Sequence, residues 1–149
     1  MQFSIKSNVK ANFRFVASHF GKPLLSHLLP KFPPIRLTKF DGTGLGNLVC
    51  LELKFAGHIM TWSSQIIVTK KHDTEENFID QGVKLPFFLV YWEHRHRIIR
   101  NGNDTVIIDE IYYKSPNMII ELLFFPILFL SFYLRRASYK SFFSKIREK

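Results

Sequence analysis

Residues 87–114 read FFLVYWEHRHRIIRNGNDTVIIDEIYYK, two extended runs on either side of Asn101-Gly102. Asn-Gly between alternating apolar residues is the strongest short-range signal of a β-hairpin, because both central positions of a type I′ turn need positive φ. With those two residues as the loop, Val90 faces Tyr113, Trp92 faces Ile111, His94 faces Asp109 and His96 faces Ile107. One face of the hairpin then carries Val90, Trp92, His94, His96 and Ile98 over Ile107, Asp109, Ile111 and Tyr113. The other carries Glu93, Arg95, Arg97 and Glu110, the set expected toward water. Shifting the loop to Gly102-Asn103 sets His96 opposite Asp109 and keeps the same face. A three-residue loop flips the parity and pairs Arg95 with Asp109.

Upstream of this hairpin the chain is also mostly extended. Asp41-Gly42-Thr43-Gly44-Leu45-Gly46 separates two extended runs, and residues 48–55 and 60–69 read as a hairpin around Gly57. The glycine-rich turn lacks the Lys-Ser/Thr of a phosphate loop and precedes a strand, so no nucleotide is assigned to it. Residues 72–76 form an acidic turn, followed by a short strand through Phe78 and Asp80. At the N-terminus Phe3, Ile5, Ser7 and Val9 alternate as in a strand, with no secretory signal pattern. Asn12 is placed to cap a helix from Phe13, Gly21 to stop it, Pro23 to open a second helix and Pro30 to end that one. Pro33-Pro34 then predicts an extended chain before a strand over residues 35–40.

The last third is one helical pattern from residue 117 to about residue 147, capped by Asn117 or Ser115. Residues 118–134 are apolar enough to resemble a membrane span before Arg135-Arg136. As a helix that stretch rises about 25 Å, short of a roughly 30 Å hydrocarbon core, and it contains Glu121 and Pro126. A polar stripe of Asn117, Glu121, Ser131, Arg135 and Ser138 is broken at Phe124 and Leu128, which predicts an exposed apolar patch on this helix.

The 149 residues, 46% hydrophobic and 22% charged, suit a single folded domain over residues 1–149 and exclude a repeat array or a disordered chain. One cysteine, Cys50, excludes an intrachain disulfide framework and a four-thiolate metal centre, and points to a reducing compartment such as the cytoplasm. The net charge of +9 is uneven: residues 1–40 hold seven basic and no acidic side chains, and residues 135–149 hold six basic and one acidic. Such ends favour anions, lipid head groups among them. Nucleic acid is not assigned, since no recognised motif accompanies the charge.

A carboxylate opposite an imidazole on an apolar face orients the ring, which serves acid–base catalysis or the polar anchoring of an apolar ligand. His94 and His96 also have the same-face spacing of metal ligands on a strand. A third ligand would have to be Asp109 or the distant His58, so neither a metal nor another cofactor is assigned.

Strand, two short helices, six strands and a long C-terminal helix is the resulting element order. At this point the chain resembles the SRPBCC superfamily, START-related and birch-pollen-allergen-like, and most closely its bacterial ligand-binding and polyketide cyclase/dehydrase-like members. The likeness covers nearly the whole chain. It is carried by Trp62, by Phe78-Ile79-Asp80, by Pro86-Phe87 running into Tyr91-Trp92-Glu93-His94-Arg95-His96-Arg97, and by Thr105-Val106-Ile107-Ile108-Asp109-Glu110-Ile111-Tyr112-Tyr113 ending in Pro116. Asn117-Met118 departs from the glycine-containing turn usual there.

The resemblance implies an α+β helix-grip fold: a seven-stranded curved antiparallel sheet around the C-terminal helix, with two short helices after the first strand. It further implies a cavity for a hydrophobic small molecule or lipid. Trp62, Phe78, Trp92, His94, His96, Asp109, Ile111 and Tyr113 are expected to face that cavity. The alternatives are an enzyme of cyclase or dehydratase type using His94 and Asp109, or a protein peripheral to a membrane through its apolar helix and basic tail. The same helix is a candidate surface for a homodimer.

Overall fold

Alternation of apolar and polar side chains builds β1 (Gln2–Val9), with Ile5, Ser7 and Val9 turned inward. The structure, a computed structural model, describes residues 1–147. Asn12 caps α1 (Phe13–Ser18) by accepting the Arg14 amide proton at 2.9 Å. Gly21 precedes α2 (Lys22–Leu28), and Pro23 lies in its first turn, where its missing amide hydrogen costs nothing. Residues 31–34 form a turn and not the extended run expected from Pro33-Pro34. Proline's fixed φ suits a turn as well as an extended chain, and here the path from α2 to the sheet edge selects the turn.

The remaining strands are β2 (Ile35–Phe40), β3 (Leu48–Phe55), β4 (His58–Lys71), β5 (Glu75–Lys84), β6 (Tyr91–Asn101) and β7 (Asp104–Lys114). They form one antiparallel seven-stranded sheet in the order β1-β7-β6-β5-β4-β3-β2. Register shifts at Leu37/Lys39, Ser63/Ser64 and Ile66/Val68 add local twist and help curve the sheet. Ala56 and Gly57 both have positive φ, 48° and 79°, so the turn joining β3 to β4 has the type I′ pattern.

The β6–β7 register corrects the first pairing read from Asn101-Gly102. Asn101 pairs with Asp104, the loop is Gly102-Asn103, and Trp92 faces Tyr113, His94 faces Ile111 and His96 faces Asp109. Gly102 alone has positive φ, 63°, the pattern of a type II′ turn with glycine at its first central position. Only one residue must then leave the usual φ range, so Asn101 stays in the strand. The inward face is the one expected except at Val90, which precedes β6 and is exposed.

α3 (Met118–Arg147) lies in the concavity and buries Phe124, Leu128, Phe132, Tyr139 and Phe143. Phe124 and Leu128 thus belong to the core stripe and are not breaks in an exposed one. Spacings of four and seven residues put these bulky side chains on one face, and that face wins the sheet. The exposed apolar patch lies elsewhere on the helix, at Ile119, Leu122, Leu123, Leu130 and Leu134. Two clusters of buried side chains result. The first half of α3 packs with Trp62, Phe88, Trp92, Ile111 and Tyr113, and the second half with Val16, Leu24, Leu28, Ile98 and Ile107.

Candidate functional site

Between the two apolar clusters lies a polar one. In the sheet Asp80 of β5 stands opposite His94 of β6, and His96 stands opposite both Phe78 of β5 and Asp109 of β7. All four polar side chains point to the concave side. His94 Nε2 lies 2.8 Å from Asp109 Oδ1, and His96 Nε2 lies 3.0 Å from Asp80 Oδ2. The cross distances are longer: His94 Nδ1 is 3.5 Å from Asp80 Oδ2, and His96 Nδ1 is 3.5 Å from Asp109 Oδ1. Trp92 Nε1 donates to Asp80 Oδ1 at 3.3 Å, and the Tyr139 hydroxyl donates to Asp109 Oδ1 at 3.4 Å. Phe78 stacks on His96 with centroids 4.2 Å apart, and Phe132 meets His94 edge-on.

Burial sets the electrostatics. It pushes both Asp80 and Asp109 upward, but hydrogen bonds and charge from the imidazoles outweigh it and hold both carboxyls below their ordinary range. Burial and the adjacent His96 lower His94 to about 4, against the opposing pull of Asp109 and Asp80. Tyr139 is raised well above its usual value by burial and by the neighbouring Asp109. An ionised carboxylate only accepts, so a neutral His94 carries its proton on Nε2, toward Asp109. The His94 Nδ1 lone pair then faces Asp80. His96 Nδ1 and Asp109 Oδ2 are buried with no hydrogen-bond partner.

This cluster forms one wall of a recess of about 140 Å³. Leu24 and Leu28 of α2, Trp62 and Ile66 of β4, and Leu128 and Phe132 of α3 supply its apolar lining, together with Phe78 and Trp92. Ser64, Arg135 and Tyr139 add polar groups. Half-buried Leu25, Leu29, Phe40 and Thr43 rim it where α2 approaches the loop before β3.

Of the residues expected at a cavity, Trp62, Phe78, Trp92, His94 and His96 line this recess. Asp109 does not: it is fully buried beneath the two imidazoles. Ile111 and Tyr113 share its face but lie in the core under the first half of α3, where the Tyr113 hydroxyl donates to the Glu121 carbonyl at 3.0 Å. There α3 packs against β1, and the side chains of the first cluster fill that end of the concavity. Sequence reasoning missed Asp80, Ser64, Arg135 and Tyr139. Asp80 had a usable signal, since it lies two residues from the inward Phe78 and must share its face. Arg135 and Tyr139 follow Phe132 at helical spacing.

No protein-family model and no curated protein sequence matches the chain. Solved structures do. Protein Ms6760 from Mycobacterium smegmatis superposes with a TM-score of 0.69 over 97% of this chain and 92% of its own, at 11% identity. Ginseng major latex-like protein 151 from Panax ginseng does so with 0.55 over 93% and 95%, at 17% identity. Norcoclaurine synthase from Thalictrum flavum, in complex with dopamine and hydroxybenzaldehyde, reaches 0.58 over 82% and 73%, at 15% identity. At these identities the likeness is one of fold.

Proposed function

On the premise of a helix-grip fold of the SRPBCC, Bet v1-like kind, we propose that this chain binds a small apolar molecule through a ring-sized group. The recess carries the proposal: mostly apolar walls, a volume of about 140 Å³, and the Asp80, His94 and His96 cluster in its sheet wall. A dry cavity of about 150 Å³ accommodates a single benzene ring, whereas drug-sized pockets span roughly 300–1,000 Å³. An aromatic ring fits, and a long acyl chain does not fit inside. Burial of the ring supplies the affinity, and Asp80 and His96 orient a hydroxyl or carbonyl on it. The synthase that shares the fold was crystallised with two such aromatic molecules.

The chain's two tryptophans both line the recess, with ring centroids 4.7 Å apart, so intrinsic fluorescence reports on it directly. Titration with phenols and benzaldehydes is expected to change that emission saturably, and Ile66→Trp, which fills the recess, is expected to abolish the near-ligand response. If phenols and aldehydes leave the emission untouched while long-chain fatty acids change it, the ring-sized assignment fails.

The exposed face of α3 favours a second property of the same protein, contact with an anionic membrane surface. Ile119 is 79% exposed, Leu123 63% and Leu134 55%, and Arg136 lies over the neighbouring Tyr133 ring at 5.2 Å, at the patch edge. The helix is long and apolar enough to cross a bilayer by length and composition. Its opposite stripe is committed to the sheet, so the helix would lie along the surface. Flotation with phosphatidylserine vesicles tests this: wild type should float and a Leu123→Glu, Leu130→Glu variant should not. Wild type that stays at the bottom as a dimer assigns the face to a second copy instead.

A further inference from the structure

Asp80, His94 and His96 each turn one donor atom to a common point in the recess wall, and those donors all lie within 4.8 Å of one another. Asp80 Oδ2 stands 3.5 Å from His94 Nδ1 and 3.0 Å from His96 Nε2. An ion bound at about 2.0–2.1 Å with tetrahedral angles holds neighbouring donors about 3.3 Å apart, so both edges suit one central ion.

The protons point the same way. Asp109 Oδ1 lies against the far nitrogen of each ring, 2.8 Å from His94 Nε2 and 3.5 Å from His96 Nδ1. That is where a carboxylate orients an imidazole that ligates through its other nitrogen. With a proton on His94 Nε2, the Nδ1 lone pair faces an anionic oxygen, an arrangement that a cation between them relieves. An ion on His96 Nε2 moves that ring's proton to Nδ1, giving the partnerless Nδ1 a hydrogen to offer Asp109. Asp80 and Asp109 bring two carboxyl groups to the two imidazoles, and the Arg135 guanidinium, which also lines the recess, lies over the Phe132 ring at 4.1 Å.

We infer that Asp80, His94 and His96 bind a divalent first-row transition ion, with Asp109 orienting both imidazoles and the remaining coordination position open to the recess. Two nitrogens and one carboxylate select such an ion over magnesium or calcium, which prefer all-oxygen sets. Sequence spacing had offered only Asp109 or His58 as a third ligand. The sheet register supplies Asp80, directly opposite His94. The site stands whether or not the recess takes an organic ligand.

The full chain, stripped with EDTA and dialysed free of chelator, is titrated with ZnCl2 by calorimetry and with CoCl2 by visible absorption. One equivalent should bind, MgCl2 should not compete, and saturating ZnCl2 should raise Tm. Asp80→Asn and His96→Gln should each weaken binding at least about 100-fold and Asp109→Asn about 10–100-fold, while His58→Gln and His72→Gln on the surface change nothing. Should the site variants fail to fold, the imidazole 15N shifts of the wild type decide: ZnCl2 must move His94 Nδ1 and His96 Nε2. No binding by the wild type, unmoved ring shifts, or affinity that survives Asp80→Asn and His96→Gln but is lost with His58→Gln or His72→Gln would overturn the assignment.

Discussion

Asp109 is fully buried and accepts hydrogen bonds from His94 and Tyr139 on one oxygen. Removing one partner of such a group leaves the others desolvated and unpaired, which costs more than the bonds themselves contribute. Asp109→Ala should therefore destabilise the protein by about 3–5 kcal/mol in urea denaturation. The exposed His58→Ala should stay within about 0.5 kcal/mol of wild type. A small Asp109→Ala effect would mean that the imidazoles find other partners. Backbone geometry offers a second test at this scale. Ala56 sits at φ 48° in the first central position of its turn, where the methyl group is strained and asparagine is tolerated. Ala56→Asn is expected to stabilise by about 0.5–1 kcal/mol, read as a shift of the denaturation midpoint at unchanged slope.

At the scale of elements, β5, β6 and β7 are tied on their outer face by Arg97. Its guanidinium donates to both Glu75 oxygens at 2.7 and 3.2 Å and to Glu110 at 3.2 Å. The Arg97 hydrogen bond chiefly holds the Glu75 carboxyl below its ordinary 4.5. A carboxyl lowered in the folded state adds stability that is complete above its unfolded value and disappears as pH falls through the folded one. The side chains are about a third exposed, so solvent screens the interaction. Arg97→Met should cost about 1 kcal/mol at pH 7, and the gap to wild type should shrink as pH drops below 4.5. Denaturation curves at pH 7 and pH 3 with equal gaps would contradict this. Which inward residues of β6 and β7 stand opposite one another depends on the register, which one glycine with positive φ sets.

The whole molecule is a sheet closed by one helix over two apolar clusters, with the polar group and the recess between them. Leu28 of α2 belongs to one cluster and lines the recess. Truncating it removes packing and enlarges the space at once, so the two consequences are linked. Leu28→Ala is expected to lose about 2–4 kcal/mol and to admit two-ring compounds such as naphthols that the wild type rejects. Calorimetric unfolding and tryptophan quenching check the two parts on the same sample. Loss of stability without wider ligand acceptance would mean that the recess collapses around the truncation.

Local chemistry decided the element order, because the signals for it act within a few residues. Asn12 and Pro23 open helices, Gly57 and Gly102 turn hairpins, and period-two alternation marks which side chains of β1, β6 and β7 share a face. That alternation placed His94, His96 and Asp109 together, and it survived a change of register because moving the two-residue loop along by one preserves parity. Tertiary structure alone decided which inward residues meet the recess. The curvature of the sheet and the seat of α3 are set by packing among residues distant in the chain. They buried Ile111 and Tyr113 under the helix, turned Phe124 and Leu128 inward, and brought Asp80, Arg135 and Tyr139 from β5 and α3 to the histidines. Side chains so far apart in sequence leave no periodic trace of their contact, and only the folded geometry brings them to a common point.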